Sequence, residues 1–303
     1  MWGLAVRRAP QENMTNTQQK MQSEYWNTSG AERWQRNAHH LEQALFPFSA
    51  EIIGHIAPAP TDNILDIGCG TGDLSTDLAC LTPDGQVVGL DISAPLLETA
   101  RNRNADAPLP NLSFILGDAS SWQPSAYVDA VVSRFGVMFF EHPEAAFENI
   151  RNMLKPGGRM AFAAWASMEE NEWVSAPLSA VQAYLNEARP GPLPVPAPNM
   201  PGPFGLSDRN RIEHILAASG WSDILISPWL GHLEFQDMQS LEGIVDFMTS
   251  MGGVARMIGS GLIEADEARA AVTEFLTPIW EDGTATIWRA KAWIVSAKNP
   301  EPE

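Results

Sequence analysis

The sequence has few basic residues and no long apolar run. Its 19 lysines and arginines stand against 37 aspartates and glutamates, which leaves a net charge of -18. Nucleic acids and anionic membranes attract proteins through basic side chains, so we expect neither as a partner. No segment approaches the roughly 20 apolar residues of a membrane-spanning helix. The composition therefore favours a small molecule as the binding partner.

Cysteine is also scarce. Cys69 and Cys80 are too few for a disulfide scaffold in a chain of 303 residues, and they lack the spacing of a metal site. The apolar part of the first eight residues is too short for a signal peptide. We therefore expect a cytoplasmic protein without a metal ion. Residues 1–20 are polar and aperiodic, and we expect them to be disordered.

Short apolar runs alternate with amphipathic segments in the first half of the chain. The predicted strands are residues 63–67, 86–91, 112–116, 128–133 and 159–165. The predicted helices between them are residues 73–81, 94–104 (N-capped by Ser93) and 143–154, the last preceded by His142 as a cap. Strands that alternate with helices of about ten residues predict a parallel sheet with helices on both faces.

The regular alternation stops after residue 165. Seven prolines within residues 190–203 predict an extended strap. A helix over residues 208–219 with Ser207 as its cap, and strands at 223–228 and 290–297, follow. We interpret the organisation as N-terminal cap helices in 21–57, a ligand-binding core in 58–166, a cap helix and strap in 167–205, and the rest of the core in 206–303 with a helical insertion of two or three helices at 235–285.

A glycine-rich turn follows the first predicted strand directly. Residues 65–73 read Leu-Asp-Ile-Gly-Cys-Gly-Thr-Gly-Asp, and such glycines allow a tight turn and close approach of a ligand to the backbone. A dinucleotide-binding turn needs a third glycine where this chain has Asp73. Asp66 and Asp73 would repel a pyrophosphate, whereas they suit a ligand with an ammonium group. A turn without any ligand is the alternative.

An acid stands at or just after the end of each of the first three predicted strands. Besides Asp66, Asp91 lies 19 residues beyond Gly72, where an acid accepts hydrogen bonds from ribose hydroxyls. Asp118 follows the third strand and could accept from an adenine amino group. Each acid alone could cap a helix or face solvent. Together they favour S-adenosylmethionine over a nicotinamide cofactor.

Four segments resemble the successive motifs of class I S-adenosylmethionine-dependent methyltransferases: residues 65–72, 90–93, 117–119 and 154–158. The chain is most similar to bacterial small-molecule members of the type-11 or ubiquinone-biosynthesis-like subgroup. This resemblance implies an α/β fold with a Rossmann-like, doubly wound sheet of seven strands. The implied strand order is 3-2-1-4-5-7-6, with strand 7 antiparallel and a helical cap.

The resemblance also implies which residues hold the cofactor S-adenosylmethionine. They are Asp66, Gly68, Cys69, Gly70 and Gly72 for the methionine part, Asp91 and Ile92 for the ribose and the flank of the adenine, Asp118 and Ala119 for the adenine edge, and Ser133 beside the reacting methyl group, next to Arg134.

The candidates for the methyl-transfer step are Arg134, His39, Tyr25 and Trp26. The last three lie in predicted cap helices that approach the cofactor, although His39 could equally lie on a solvated helix face. Arg134 ends a central strand, where its guanidinium could bind an acceptor carboxylate in a bidentate manner. An ion pair with an acid such as Glu141, or a shape role beside the cofactor, is the alternative.

These features predict an enzyme that methylates a small metabolite with a carboxylate, such as an amino acid or an organic acid. The lack of an obvious base slightly favours a sulfur or nitrogen acceptor. An oxygen- or carbon-methyltransferase acting on a quinone-like or other secondary metabolite is one alternative, and a non-catalytic cofactor-binding regulator is another. Pairing of the cap helices in a homodimer is a further expectation.

Overall fold

A seven-stranded sheet forms the centre of the molecule, in a computed structural model that describes residues 22–188, 200–235, 238–281 and 286–302. Its strands are β1 (Asn63–Ile67), β2 (Gln86–Asp91), β3 (Leu112–Leu116), β4 (Val128–Arg134), β5 (Leu154–Trp165), β6 (Ser222–Glu234) and β7 (Ile287–Lys298). Their order is β3-β2-β1-β4-β5-β7-β6. Strands β1 to β5 are parallel, and β7 runs antiparallel to β5 and β6. The predicted sheet is confirmed.

Helices cover both faces of the sheet and one end of it. They are α1 (Ser29–Ile56), α2 (Asp73–Leu81), α3 (Ala94–Asp106), α4 (Pro143–Arg151), α5 (Glu172–Ala188), α6 (Arg209–Ala218), α7 (Leu241–Ser250), α8 (Gly252–Gly259) and α9 (Ala265–Glu281). Short 3-10 turns lie at Val137–Phe139 and Met168–Glu170. Among these described helices, none has the length and apolar character required to cross a membrane.

The core follows from the buried faces of these elements. The inner strands carry almost continuous apolar runs, as expected for parallel strands covered on both faces. Helix α1 contributes Phe48, Ile52 and Ile56, whose side chains are fully buried. Each fully buried aliphatic or aromatic side chain contributes about 1.5–3 kcal/mol relative to exposure. The sheet is therefore a rigid support for the loops at the carboxyl ends of β1, β2, β3 and β4.

Three strands are longer than their hydrophobic runs predict. Strand β5 begins at Leu154, which pairs with Val128 before a register shift, so the preceding helix ends at Arg151. Strands β6 and β7 pair as far as Glu234 and Ile287. Their outer halves alternate between buried and exposed residues, because β6 is an edge strand. An apolar run alone therefore marks only part of each strand.

Helix caps differ from the predictions in two places. Ser93 accepts a hydrogen bond from the backbone N–H of Leu96, as predicted. The N-cap of α6 is Asp208 rather than Ser207, because the Asp208 side chain accepts from the backbone N–H of Asn210. His142 occupies the N-cap position of α4 but its side chain makes no capping hydrogen bond. The predicted disordered segment 1–20 and most of the predicted strap 190–203 lie outside the described residues.

Candidate active site

The glycine-rich turn leaves β1 with an unusual backbone. Gly68, Gly70 and Gly72 have φ angles of 68°, 55° and 89°, a region that side chains disfavour. A Cβ atom on Gly68 would lie 2.8 Å from the Cα atom of Gly136, in the loop after β4. A Cβ atom on Gly136 would lie 2.7 Å from the carbonyl oxygen of Ile67. Two glycines therefore allow the ends of β1 and β4 to pack backbone against backbone.

Asp66 is buried beneath this turn at the end of β1. Its Oδ2 atom accepts a hydrogen bond of 2.6 Å from the Ser75 hydroxyl. Its Oδ1 atom is buried and has no hydrogen-bond partner among the described residues. Burial raises the pKa of Asp66 to about 7, although the Ser75 hydrogen bond and the positive charge of Arg134 act in the opposite direction. The unsatisfied oxygen fits a cationic or hydrogen-bond-donating ligand group.

Asp91 ends β2 and contacts the same turn. Its Oδ2 atom accepts from the backbone N–H of Gly70 and its Oδ1 atom from that of Ser93, both at 2.8 Å. Burial raises the pKa of Asp91, and these backbone hydrogen bonds act against the rise. A carboxylate offers about four acceptor positions, so it can still accept from a ligand hydroxyl. The carboxylate is thus held in one orientation at the cavity wall.

Asp118, after β3, completes the row of acids. Its Oδ1 atom accepts from both the backbone N–H and the hydroxyl of Ser120, at 2.8 and 2.7 Å. Asp118, Ala119, Asp91 and Ile92 all line one cavity. Asp91 and Asp118 therefore lie along one wall of the cavity, whereas Asp66 is buried behind that wall.

That cavity has a volume of about 1260 Å³. Pockets for one small ligand span about 300–1,000 Å³, so the cavity has room for a cofactor and a second molecule. Its polar end lies along the ends of β1, β2 and β3. At the other end, which we call the apolar lobe, the lining residues include Leu41, Leu45, Trp165, Trp173, Leu233, Phe235, Phe247, Met251 and Ala255.

Arg134 lines the cavity beside the glycine turn, and its predicted surroundings need correction. Its Nη1 atom donates a hydrogen bond of 2.8 Å to the Ser49 hydroxyl. Its Nη2 atom lies 3.5 Å from Oδ2 of Asp73, so the alternative of an ion pair with an acid applies with Asp73 in place of Glu141. The side chain is 11% exposed. These contacts hold the guanidinium close to Asp66 and the turn.

The N-terminal segment brings Tyr25 and Trp26 to the cavity, as predicted. Both residues line it, and their rings contact each other edge to face at 5.3 Å. The Trp26 ring also meets Phe139 at 5.4 Å. The Trp26 carbonyl accepts a 2.6 Å hydrogen bond from the Ser93 hydroxyl, which fixes this segment to the loop after β2.

Five predicted site residues are not part of the cavity lining: Asp66, which is buried behind it, and His39, Ser133, Cys69 and Gly72. His39 is on an exposed face of α1, 3.4 Å from the side-chain amide of Gln43. Ser133 is buried and bridges β4 to β1, because its hydroxyl donates to the Ile67 carbonyl and accepts from Gly136. Cys69 and Gly72 shape the turn behind its surface. Burial raises the pKa of the Cys69 thiol well above its usual value.

Several cavity residues were missed by the sequence reasoning. Glu141 lines the cavity, and its buried Oε2 atom has no hydrogen-bond partner among the described residues. His142 lines it as well, so two groups that can accept a proton are present. Phe135 has a φ angle of 63° and stacks on Trp165 at 4.0 Å. A left-handed aromatic residue directly after a strand has no sequence signature, since glycine is the usual choice there.

No metal centre is evident in the part of the chain that the structure describes. Within residues 22–188, 200–235, 238–281 and 286–302, no three His, Cys, Asp or Glu side chains come together as metal ligands.

Comparison with known proteins places this site in a family. Residues 64–158, about a third of the chain, match the methyltransferase domain family. Trans-aconitate 2-methyltransferase of Methylobacterium radiotolerans is 31% identical over 113 residues, which are 37% of this chain and 42% of that protein. Demethylmenaquinone methyltransferase of Symbiobacterium thermophilum is 40% identical over 103 residues, or 33% and 41% of the two chains. The match thus spans about two-fifths of these relatives.

Among solved structures, phosphoethanolamine N-methyltransferase 2 of Haemonchus contortus in complex with S-adenosyl-L-methionine superimposes with a TM-score of 0.50 and 17% identity. The superposition covers 84% of this chain and 52% of that one, and it supports the fold. Sheet order and glycine turn together define a class I methyltransferase fold. Residues 64–158 are thus a methyltransferase domain, similar to those of the ubiquinone-biosynthesis enzymes, and S-adenosylmethionine is the cofactor of such a domain.

Proposed function

We propose that this protein transfers the methyl group of S-adenosylmethionine to a small molecule that carries a carboxylate. The observation that carries the proposal is the single cavity of about 1260 Å³, which joins the acidic wall at the ends of β1, β2 and β3 to an apolar lobe. A cofactor-binding regulator has no need of a second lobe. Methyl transfer, in contrast, requires both ligands in one enclosed space with water excluded.

The residues of the acidic wall fit the cofactor. Asp66 offers a buried, unsatisfied Oδ1 atom to an ammonium group. Arg134 is held by Ser49 and Asp73, and its guanidinium suits the carboxylate of the same methionine part. Asp91 suits the ribose hydroxyls, and Asp118 with the adjacent Ala119 suits the adenine edge. When bound, the cofactor supplies an electrophilic methyl group on a sulfonium.

The remaining wall belongs to the acceptor in this proposal. Parts of α1, α5, α7 and α8 line the apolar lobe, so these four helices act together as a cap. One relative, named for trans-aconitate, takes its name from a carboxylate, which supports an acid as acceptor. Because Glu141 and His142 line the cavity, a base is at hand for an oxygen or carbon acceptor. The argument for sulfur or nitrogen from a missing base therefore no longer applies.

A quinone-like acceptor is the second candidate. The aromatic side chains of Trp165, Trp173, Phe235 and Phe247 line the lobe, and such surfaces suit a flat, apolar ring. The relative named for demethylmenaquinone supports this candidate.

The test is to incubate the purified protein with trideuteromethyl S-adenosylmethionine and a metabolite extract, followed by untargeted mass spectrometry. We expect one metabolite to gain a labelled methyl group, and we expect the Asp91→Asn variant to label it far more slowly. A carboxylate on the labelled product supports the main proposal, and a quinone supports the second. Tight binding of S-adenosylhomocysteine without any labelled product would instead indicate a non-catalytic protein.

A further inference from the structure

Two arginines in the cavity wall are not among the residues that we assign to the cofactor. Arg33 on α1 and Arg256 on α8 both line the cavity. Neither forms an ion pair with an acid of the described residues, whereas Arg134 pairs with Asp73 and Arg103 pairs with Glu42. Four other described arginines also form no ion pair with a described acid, namely Arg36, Arg101, Arg151 and Arg211, but none of those four lines the cavity. The two guanidinium groups are thus available to a ligand anion.

The two arginines lie on neighbouring parts of the cap. The side-chain amide of Asn37 donates a hydrogen bond of 3.3 Å to the Ser250 hydroxyl, which fastens α1 to the junction of α7 and α8. Arg33 is one turn before Asn37 on the same face of α1, since residues four apart share a helix face. Arg256 is one turn into α8 from that junction. Arg33, which is half-buried, and Arg256, which is exposed, thus lie within two helical turns of the Asn37–Ser250 contact along the chain and line the same cavity.

The apolar lobe extends inward from this region. Leu41 lies one turn beyond Asn37 on α1 and lines the lobe, as do Met251 and Ala255 at the start of α8. Trp173 lines it as well, and its buried Nε1 atom has no hydrogen-bond partner among the described residues. The arginines thus stand beside an apolar space that contains one unsatisfied donor.

We propose that Arg33 and Arg256 bind the carboxylate of an acceptor whose apolar body occupies the lobe beside Trp165 and Trp173. The acceptor class is an aromatic or otherwise apolar organic acid. This inference rests on the proposed function, and it assigns the acceptor carboxylate to Arg33 and Arg256 while leaving Arg134 to the cofactor. Two guanidinium groups can grip a carboxylate from two sides, and each charge-assisted hydrogen bond adds selectivity over a neutral group.

The test uses two probes of matched shape, 2-naphthoate and the neutral 2-naphthamide, titrated by calorimetry into the complex with S-adenosylhomocysteine. We expect naphthoate to bind the unmodified protein at least about tenfold more tightly than naphthamide. In the double variant Arg33→Gln with Arg256→Gln, this preference should nearly vanish. Arg36→Gln is the matched control, because Arg36 is an exposed arginine of α1 that does not line the cavity.

The affinity for S-adenosylhomocysteine distinguishes a failure of the proposed function from a failure of the assignment of Arg33 and Arg256. It should be unchanged in the double variant, which also shows that the variant is folded. A protein that fails to bind S-adenosylhomocysteine would overturn the proposed function itself. If S-adenosylhomocysteine binds, three results overturn only the present inference. They are equal affinity for the two probes, no binding of naphthoate, and an equal loss of preference in Arg36→Gln.

Discussion

Substitution of Asp66 by asparagine should both stabilise the protein and weaken its cofactor binding. The carboxyl group is 1% exposed and receives one hydrogen bond, from Ser75, while its second oxygen has no partner among the described residues. Asparagine keeps the shape and can still accept from Ser75, but it carries no charge. The substitution therefore removes the cost of an ionised group in a buried position.

The size of this effect follows from the pKa. Burial raises the pKa of Asp66 from 3.8 to about 7. The folded chain therefore holds the proton more strongly than the unfolded chain. The stability that the protonated Asp66 carboxyl group gives the folded state is fully present below about pH 4, and it is lost as the pH rises to about 7. Each pH unit in that window corresponds to about 1.4 kcal/mol, so the total is about 4 kcal/mol at neutral pH.

Urea denaturation of the ligand-free protein, followed by tryptophan fluorescence, measures this difference. Between about pH 5 and pH 7, the free energy of unfolding of Asp66→Asn should gain about 1.4 kcal/mol per pH unit over the unmodified protein. Above about pH 7 the difference should be constant. S-adenosylhomocysteine, which keeps the ammonium group, should bind the unmodified protein more tightly as the pH rises through this window, whereas its affinity for the variant should change little.

Two outcomes would refute the reasoning. Parallel pH profiles of unfolding for the two proteins would show that Asp66 titrates near its ordinary pKa and does not bear the cost of burial. Equal affinity of the two proteins for S-adenosylhomocysteine at pH 8 would show that the unsatisfied oxygen of Asp66 does not contact the ammonium group.

The remaining predictions concern one glycine pair and one histidine. Gly136→Ala should lower both the melting temperature and the affinity for S-adenosylhomocysteine, because its Cβ atom would lie 2.7 Å from the Ile67 carbonyl oxygen. Gly54→Ala is the control: its Cβ atom would meet no atom within 4 Å near the C-terminal end of α1, and the variant should gain up to about 1 kcal/mol. A similar result for both variants contradicts the packing argument. His39→Ala should leave the turnover of labelled methyl groups unchanged, and a large loss would restore its predicted catalytic role.

The fold was predictable because several sequence features agreed. The apolar runs at 63–67, 86–91 and 112–116 end where the strands end. The glycines at the first turn adopt the positive φ angles that the motif implies. Strand ends and glycine turns are determined by residues that are close together in the chain, so they can be predicted from the sequence. The acids Asp91 and Asp118 at the cavity wall were predictable for the same reason.

Contacts between distant segments were harder to predict. His39 was placed on a helix correctly, but only the packing of α1 decides which of its faces is exposed. Ser133 directly precedes the cavity residue Arg134 in the chain, but its hydroxyl donates a hydrogen bond to the carbonyl of Ile67, which is 66 residues away. Arg33 and Arg256 line the same cavity only because the cap helices fold over it, and those helices carry no motif. The direction of the side chains and the pairing of distant residues were therefore harder to predict than the types of residue in the site.

The attachment of the N-terminal segment to the loop after β2 affects the order in which the cofactor and the acceptor are expected to bind. Asn27 donates a 2.9 Å hydrogen bond to the Ile92 carbonyl and accepts from the backbone N–H of Ala94, while Ser93 donates to Trp26. Displacing this segment thus disturbs the residues at the ribose position. The junction of α1 and α8 involves none of these bonds. If the protein acts as proposed, an acceptor that enters beside α8 would break none of these bonds, so we expect the cofactor to bind first and its demethylated product to leave last.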